Sequence, residues 1–129
     1  MTQAKFFPVA GCAGTDHRLA GDYHHRWMVI DAQGEWLTAQ ACPALQEVSV
    51  DLKMGALVLR APGMLRMDIP LDVIEDDDSV NRQATIVQQP VVVIDEGEVA
   101  AVWFSKALGQ TCRFVKIHPD AKAPVWPAV

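Results

Sequence analysis

Short apolar segments of alternating pattern, each ended by a turn signal, recur through this chain and narrow the folds open to it. Val48-Ser49-Val50-Asp51-Leu52 alternates with the period of a half-buried strand, and Lys53-Met54-Gly55 can turn it into Ala56-Leu57-Val58-Leu59-Arg60. Ala61-Pro62-Gly63 breaks the chain again before Met64–Pro70, a further strand. Ala84-Thr85-Ile86-Val87 and Val91-Val92-Val93-Ile94 add β-branched runs on either side of Gln88-Gln89-Pro90, and Cys112–Ile117 supplies a last one. Many short strands with turns at close spacing predict a barrel or a sandwich.

Near the N-terminus, FFPVAG reads as a strand running into a bend at Gly11 and Gly14. Residues 26–38, RWMVIDAQGEWLT, predict a hairpin turning at Asp31-Ala32-Gln33-Gly34 and returning through Glu35–Thr38. Trp27, Val29 and Asp31 alternate with Arg26, Met28 and Ile30, which gives one apolar face and one mixed face. A single helix follows the β-rich part. Asp95 is its expected N-cap, Glu96 and Glu98 lie in its first turn, and Gly109 stops it. Val99, Trp103 and Ala107 fall at i, i+4 and i+8, with Val102, Phe104 and Leu108 widening the apolar stripe. The expected fold is mainly β, a barrel-like bent sheet of short strands, with one α-helix in the C-terminal half.

With 129 residues and no internal linker, one domain over 1–129 can bury its own core. The formal charge of −5 argues against a broad nucleic-acid surface, though not against one local basic pocket. No apolar run nears the length that spans a bilayer, and the first residues lack the pattern of a signal peptide. Cys12, Cys42 and Cys112 are odd in number and widely spaced, so we expect three reduced thiols in a cytoplasmic protein. Three cysteines fall short of an ordinary iron–sulfur set, and no CxxC pair marks a zinc site.

Several residues invite a functional reading. Arg26 stands at the head of an apolar strand, and Gly11 and Gly14 could expose backbone amides as a small anion nest beside it. His24 and His25 would point to opposite faces if extended, so together with His17 they suggest polar side chains facing water, with a His25 hydrogen bond near Arg26. Among the cysteines only Cys112 has a basic sequence neighbour, Arg113, and no general base is assigned to it. Glu75-Asp76-Asp77-Asp78 reads as a solvated loop, lacking the spaced ligands and glycine of a calcium loop. Trp27, Trp36 and Trp103 are expected in the core, whereas Trp126 among prolines either folds back or contacts another chain. We assign no catalytic residue and no metal ligand.

Taken in order, FFPVAGCAG, GDYHHRWMVIDAQGEWLTAQACPAL and EVAAVWFSKALGQTCRFVKI resemble the N-terminal β-barrel domain of MOSC proteins, relatives of the molybdenum cofactor sulfurase C-terminal region. Pro8, Val9, Cys12 and Gly14 match the first family motif, and Arg26, Trp27, Met28 and Asp31 the second. Gly34, Leu37, Thr38, Pro43 and Leu45 match the third; Trp103, Phe104, Ser105, Leu108, Gly109, Arg113 and Val115 match the last. The resemblance implies that a lysine and a serine of the first motif, with the arginine of the second, hold the phosphate end of a molybdenum cofactor. Here those first two positions are Ala10 and Gly11, the basic residue after the cysteine is Ala13, and later motif residues are Gln40, Ala41 and Ala44. Arg26 is retained, with His25 where the family has aspartate.

The family's second, metal-bearing domain has no counterpart in this sequence. Two expectations follow. The first is a non-catalytic, stand-alone module that binds a partner protein or, weakly, a small phosphorylated ligand at Arg26, Gly11, Gly14 and His25, with no cofactor in the isolated chain. The alternative is the accessory half of a split enzyme, in which a separate MOSC-domain protein would share a molybdenum cofactor with it.

Overall fold

A computed structural model describes residues 6–15, 23–71 and 81–118. His17, the acidic run Glu75–Asp78 and Trp126 lie outside these residues. Eight strands and one helix follow in order: β1 (Val9–Ala10), β2 (Trp27–Asp31), β3 (Ser49–Lys53), β4 (Ala56–Arg60), β5 (Met67–Pro70), β6 (Asn81–Ile86), β7 (Gln89–Asp95), α1 (Glu98–Leu108) and β8 (Cys112–Ile117). A 3-10 turn at Pro43–Glu47 precedes β3. The strands form a five-stranded sheet, β1-β2-β8-β7-β6, and a three-stranded sheet, β3-β4-β5. The mainly β fold with one late helix is as expected.

Two of the turns show why the meander closes tightly. Met54-Gly55 and Val87-Gln88 are two-residue loops with positive φ at both positions, the left-handed pair that matches the twist of adjoining strands. The second turn therefore sits one residue earlier than Gln88-Gln89-Pro90 suggests, and Gln89 and Pro90 already belong to β7.

β2 is an interior strand, pairing in parallel with β1 and antiparallel with β8. Trp27 and Val29 face one core, with Phe104, Phe114 and the inward side chains of the three-stranded sheet. Met28 and Ile30 face a second core, with Val93, Val115, Ile86 and Trp36. The face expected to be mixed is thus fully apolar beyond Arg26, because the sheet is buried on both sides.

The predicted return strand Glu35–Thr38 shortens to bridges. Trp36 bridges Ile30, Glu35 bridges Thr85, and the Trp36 amide donates to the Thr85 carbonyl at 2.8 Å. The outer strand β6 therefore curls back to residues 34–36, and these return to β2. The sheet bends around its second core without closing into a barrel.

Helix α1 begins two residues later than the sequence suggests. Asp95 ends β7, and its carboxylate accepts the amide of Gly97, the N-cap, at 2.8 Å. Gly109 ends the helix in the left-handed conformation, its amide donating to Ser105. The buried stripe runs through Ala100, Phe104 and Leu108, flanked by Ala101 and Trp103. Val99 and Val102 face solvent at 80% and 51% exposure, contrary to the stripe expected from the sequence. Phe104 decides the rotation: it is fully buried and stacks on Phe114 with centroids 4.7 Å apart.

Candidate functional site

Arg26 precedes the first residue of β2. Its amide donates to the Tyr23 carbonyl at 3.0 Å, and its carbonyl accepts the Ile117 amide at 2.8 Å. The side chain is half-buried, with the guanidinium carbon 5.7 Å from the centre of the Tyr23 ring. Tyr23 in turn stacks on Trp27 at 6.0 Å, and the Lys116 ammonium lies 5.4 Å from the Trp27 ring centre. The result is a ladder of cation, ring, ring and cation, which fixes Arg26 in orientation. Lys116 is buried at 8% exposure and donates to the Leu71 carbonyl, while the Trp27 indole donates to Glu96 at 2.6 Å.

His24 and His25 are not extended. His25 takes a positive φ of 53°, and the two rings stack with centroids 3.9 Å apart. The His25 amide donates to the Phe7 carbonyl, and the Phe7 amide donates to His24 Nδ1 at 3.0 Å. His24 Nδ1 is thus the acceptor in that contact. Burial, helped by His24, pushes His25 down to about 4, so it adds no positive charge beside Arg26 near neutral pH.

The two glycines have packing roles. Gly11 has φ of +101°, and a Cβ there would lie 3.4 Å from Leu45 Cδ1 and 3.5 Å from the Leu37 carbonyl. A Cβ on Gly14 would come within 2.8 Å of the Phe7 ring. Ala10 pairs with Met28 in the parallel register, so Gly11 falls level with Val29, three residues along from Arg26. Gly14 packs against Phe7, whose carbonyl accepts the His25 amide. The amides of Cys12, Ala13 and Thr15 donate to the carbonyls of Val9, Val48 and Phe6. Ala10 is buried, and its carbonyl accepts the Trp36 indole at 3.3 Å.

The thiols lie in the first core. Burial, with Cys42 nearby, raises Cys12 far above the ordinary thiol range, and burial likewise raises Cys112. Arg113, next to Cys112 in sequence, reaches Asp95 and Glu98 instead. Among the described residues no group of three or more His, Cys, Asp or Glu side chains is placed to hold a metal, and no helix is long and apolar enough to cross a membrane.

A second polar centre, absent from the sequence reading, lies at the opposite end of β2. The Asp95 carboxylate, 7% exposed, takes Arg113 Nε at 2.5 Å and Arg82 Nε at 2.6 Å on one oxygen, and Arg113 Nη2 at 3.1 Å on the other. Arg82 and Arg113, the two partners of Asp95, line a cleft of about 860 Å³ between residues 31–34, β6, α1 and the start of β8. No sequence motif marks the cluster, since Arg82, Asp95 and Arg113 come from three strands that meet only in the sheet.

Burial opposes the charged form of Asp95, but the Arg113 hydrogen bonds, the Gly97 amide and the charges of Arg113 and Arg82 outweigh it and hold the carboxyl below its ordinary value. A depressed carboxyl contributes stability above its unfolded-state pKa and loses it as pH falls through the folded value. Asp95→Asn is therefore expected to cost about 1–3 kcal/mol near neutrality, with two guanidiniums left short of a partner. The deficit should shrink below about pH 4, which urea unfolding of both proteins across that range checks. An equal deficit in acid would show that the Asp95 charge is not what stabilises the cluster.

Comparison with known proteins places this geometry. Residues 2–111 match the MOSC N-terminal beta barrel domain. Molybdenum cofactor sulfurase of Danio rerio is 30% identical over 93% of this chain, and that of Homo sapiens 26% identical over 90%. The chain spans only 16% and 14% of their respective lengths. A solution structure of a Bordetella bronchiseptica protein is 52% identical, with a TM-score of 0.85 over 99% of this chain and 98% of that one. Sequence match, fold and order of motifs agree: this chain belongs to the MOSC N-terminal beta barrel domain family.

Proposed function

We propose that this protein is a non-catalytic binding module, related to the molybdenum cofactor sulfurases, that takes a small phosphorylated ligand weakly at the head of β2. The observation carrying this reading is the ladder that holds the Arg26 guanidinium on Tyr23, above Trp27. An arginine held in place loses less entropy on binding an oxyanion. Its surroundings supply little else. His25 is neutral, Gly11 and Gly14 are packed, and Ala10 stands where the resemblance implies a lysine. These residues do not fit the phosphate end of a molybdenum cofactor, and we derive no step through that group. Buried, protonated thiols argue against nucleophilic chemistry.

Phosphate affinity is expected on the order of millimolar to high micromolar, and it should fall with added salt. NMR titration of wild type and Arg26→Ala with inorganic phosphate tests this, with shifts expected at residues 23–27 in the wild type alone. Shifts elsewhere, or the same shifts in the variant, would make Arg26 a solvated strand end.

A second reading, the accessory half of a split molybdenum enzyme, draws on the similarity to molybdenum cofactor sulfurases. Native purification with molybdenum and pterin analysis separates the two. The first reading expects protein with far less than stoichiometric molybdenum. A co-purifying MOSC-domain chain carrying metal and pterin would establish the second.

A further inference from the structure

The cleft beside Asp95 has the volume of a small-molecule site, and its groups divide sharply by whether they are already bonded. Arg113 gives Nε and Nη2 to Asp95 and Nη2 again to Glu98. Asp31 accepts the amides of Gln33 and Glu35 on one oxygen, at 2.9 and 3.0 Å. Arg82 commits only Nε, to Asp95, and its side chain is 50% exposed. Its two terminal nitrogens and the Lys106 ammonium have no protein partner among the described residues, and both side chains line the cleft. A guanidinium anchored through Nε keeps its end-on pair of donors parallel, the arrangement that matches a carboxylate.

We propose that this cleft is a second binding site, separate from Arg26, for a small organic carboxylate held by Arg82 and Lys106 with its apolar body against Val102. Val102 is a half-exposed apolar side chain on the cleft wall, and Ala101 beside it lets a ligand approach the helix closely. The charge count selects the head group. Arg82, Arg113 and Lys106 stand against Asp31, Asp95 and Glu98, so the region is balanced before the ligand arrives. A single negative charge directed at the two open cations suits such a wall better than a phosphate dianion, which would also meet three nearby carboxylates.

Titration of the full chain with benzoate, followed by amide NMR, tests the site. Saturable shifts are expected at Gly34, Gln83, Lys106 and Gln110. Affinity should fall about fivefold or more in Arg82→Gln and in Lys106→Gln and be unchanged in Arg26→Ala. Lys106 is an exposed helix residue outside the Asp95 cluster, so its variant keeps the test valid if Arg82→Gln disturbs the fold. Shifts that never saturate, shifts confined to residues 23–27, or full affinity in Lys106→Gln would overturn the site. Tighter binding of phosphate than of benzoate at these residues would overturn the carboxylate assignment.

Discussion

Trp27→Ala is expected to destabilise the domain by about 4–5 kcal/mol, the upper part of the range for truncating a large core aromatic. Trp27 is fully buried and stacks on Tyr23, and its indole donates to Glu96. Its ring also carries Lys116, a lysine with almost no access to water. Removing the ring opens a cavity, takes a donor from Glu96 and strips one face from a buried ammonium, and all three losses have the same sign. Trp27→Phe keeps the stack and the cation contact but not the indole donor, so it should recover more than half of the loss. Urea unfolding followed by circular dichroism measures both. A cost below about 2 kcal/mol for the alanine variant would mean that the ladder contributes little beyond ordinary burial.

Trp103→Ala should cost about 3–5 kcal/mol by the same measurement. The ring is 8% exposed, meets Phe104 edge-on at 5.0 Å, and donates from its indole to the Leu65 carbonyl at 2.8 Å. It thereby ties the helix to the segment leading into β5. Val99→Ala and Val102→Ala on the same helix are expected to stay within about 0.5 kcal/mol of wild type, since neither side chain is buried. The contrast checks the helix rotation directly. If Val99→Ala cost as much as Trp103→Ala, the buried stripe would be the one that the sequence suggested.

The local chemistry of the chain made most strands legible. Cys112–Ile117 and the Met54-Gly55 turn stand where the residues predicted them, because alternation and turn chemistry act over a few neighbours. Long-range packing hid the rest. Nothing in RWMVID says that both faces of β2 will be covered; Met28 and Ile30 are buried by side chains of β6, β7 and β8 together with Trp36. The buried helix face lies one position from the Val99 stripe, because a run of valine and alanine leaves the stripe ambiguous until Phe104 meets Phe114.

The sites divide in the same way. Arg26 could be singled out from its place at the head of an apolar strand, but its ring partner depends on the turn at Tyr23. Arg82 and Asp95 carry no sign of pairing in the sequence, because β6, β7 and β8 must assemble before they meet. Glycine was the least informative signal, since Gly11 and Gly14 answer to Leu45 and Phe7 as well as an anion nest would.

The place of β8 in the sheet bears on how the molecule is made. β8 is the last of the described strands in sequence, yet it lies between β2 and β7, with Trp27 opposite Lys116. A ribosome releases β2 long before β8 exists, so until β8 emerges Trp27–Ile30 has no partner along its inner edge, and both cores lack the β8 residues Phe114 and Val115. The three-stranded sheet, by contrast, is built from neighbouring hairpins and can pair as it emerges. Pairing of the larger sheet therefore waits for β8, and until β8 emerges its most apolar strand stays open along one edge.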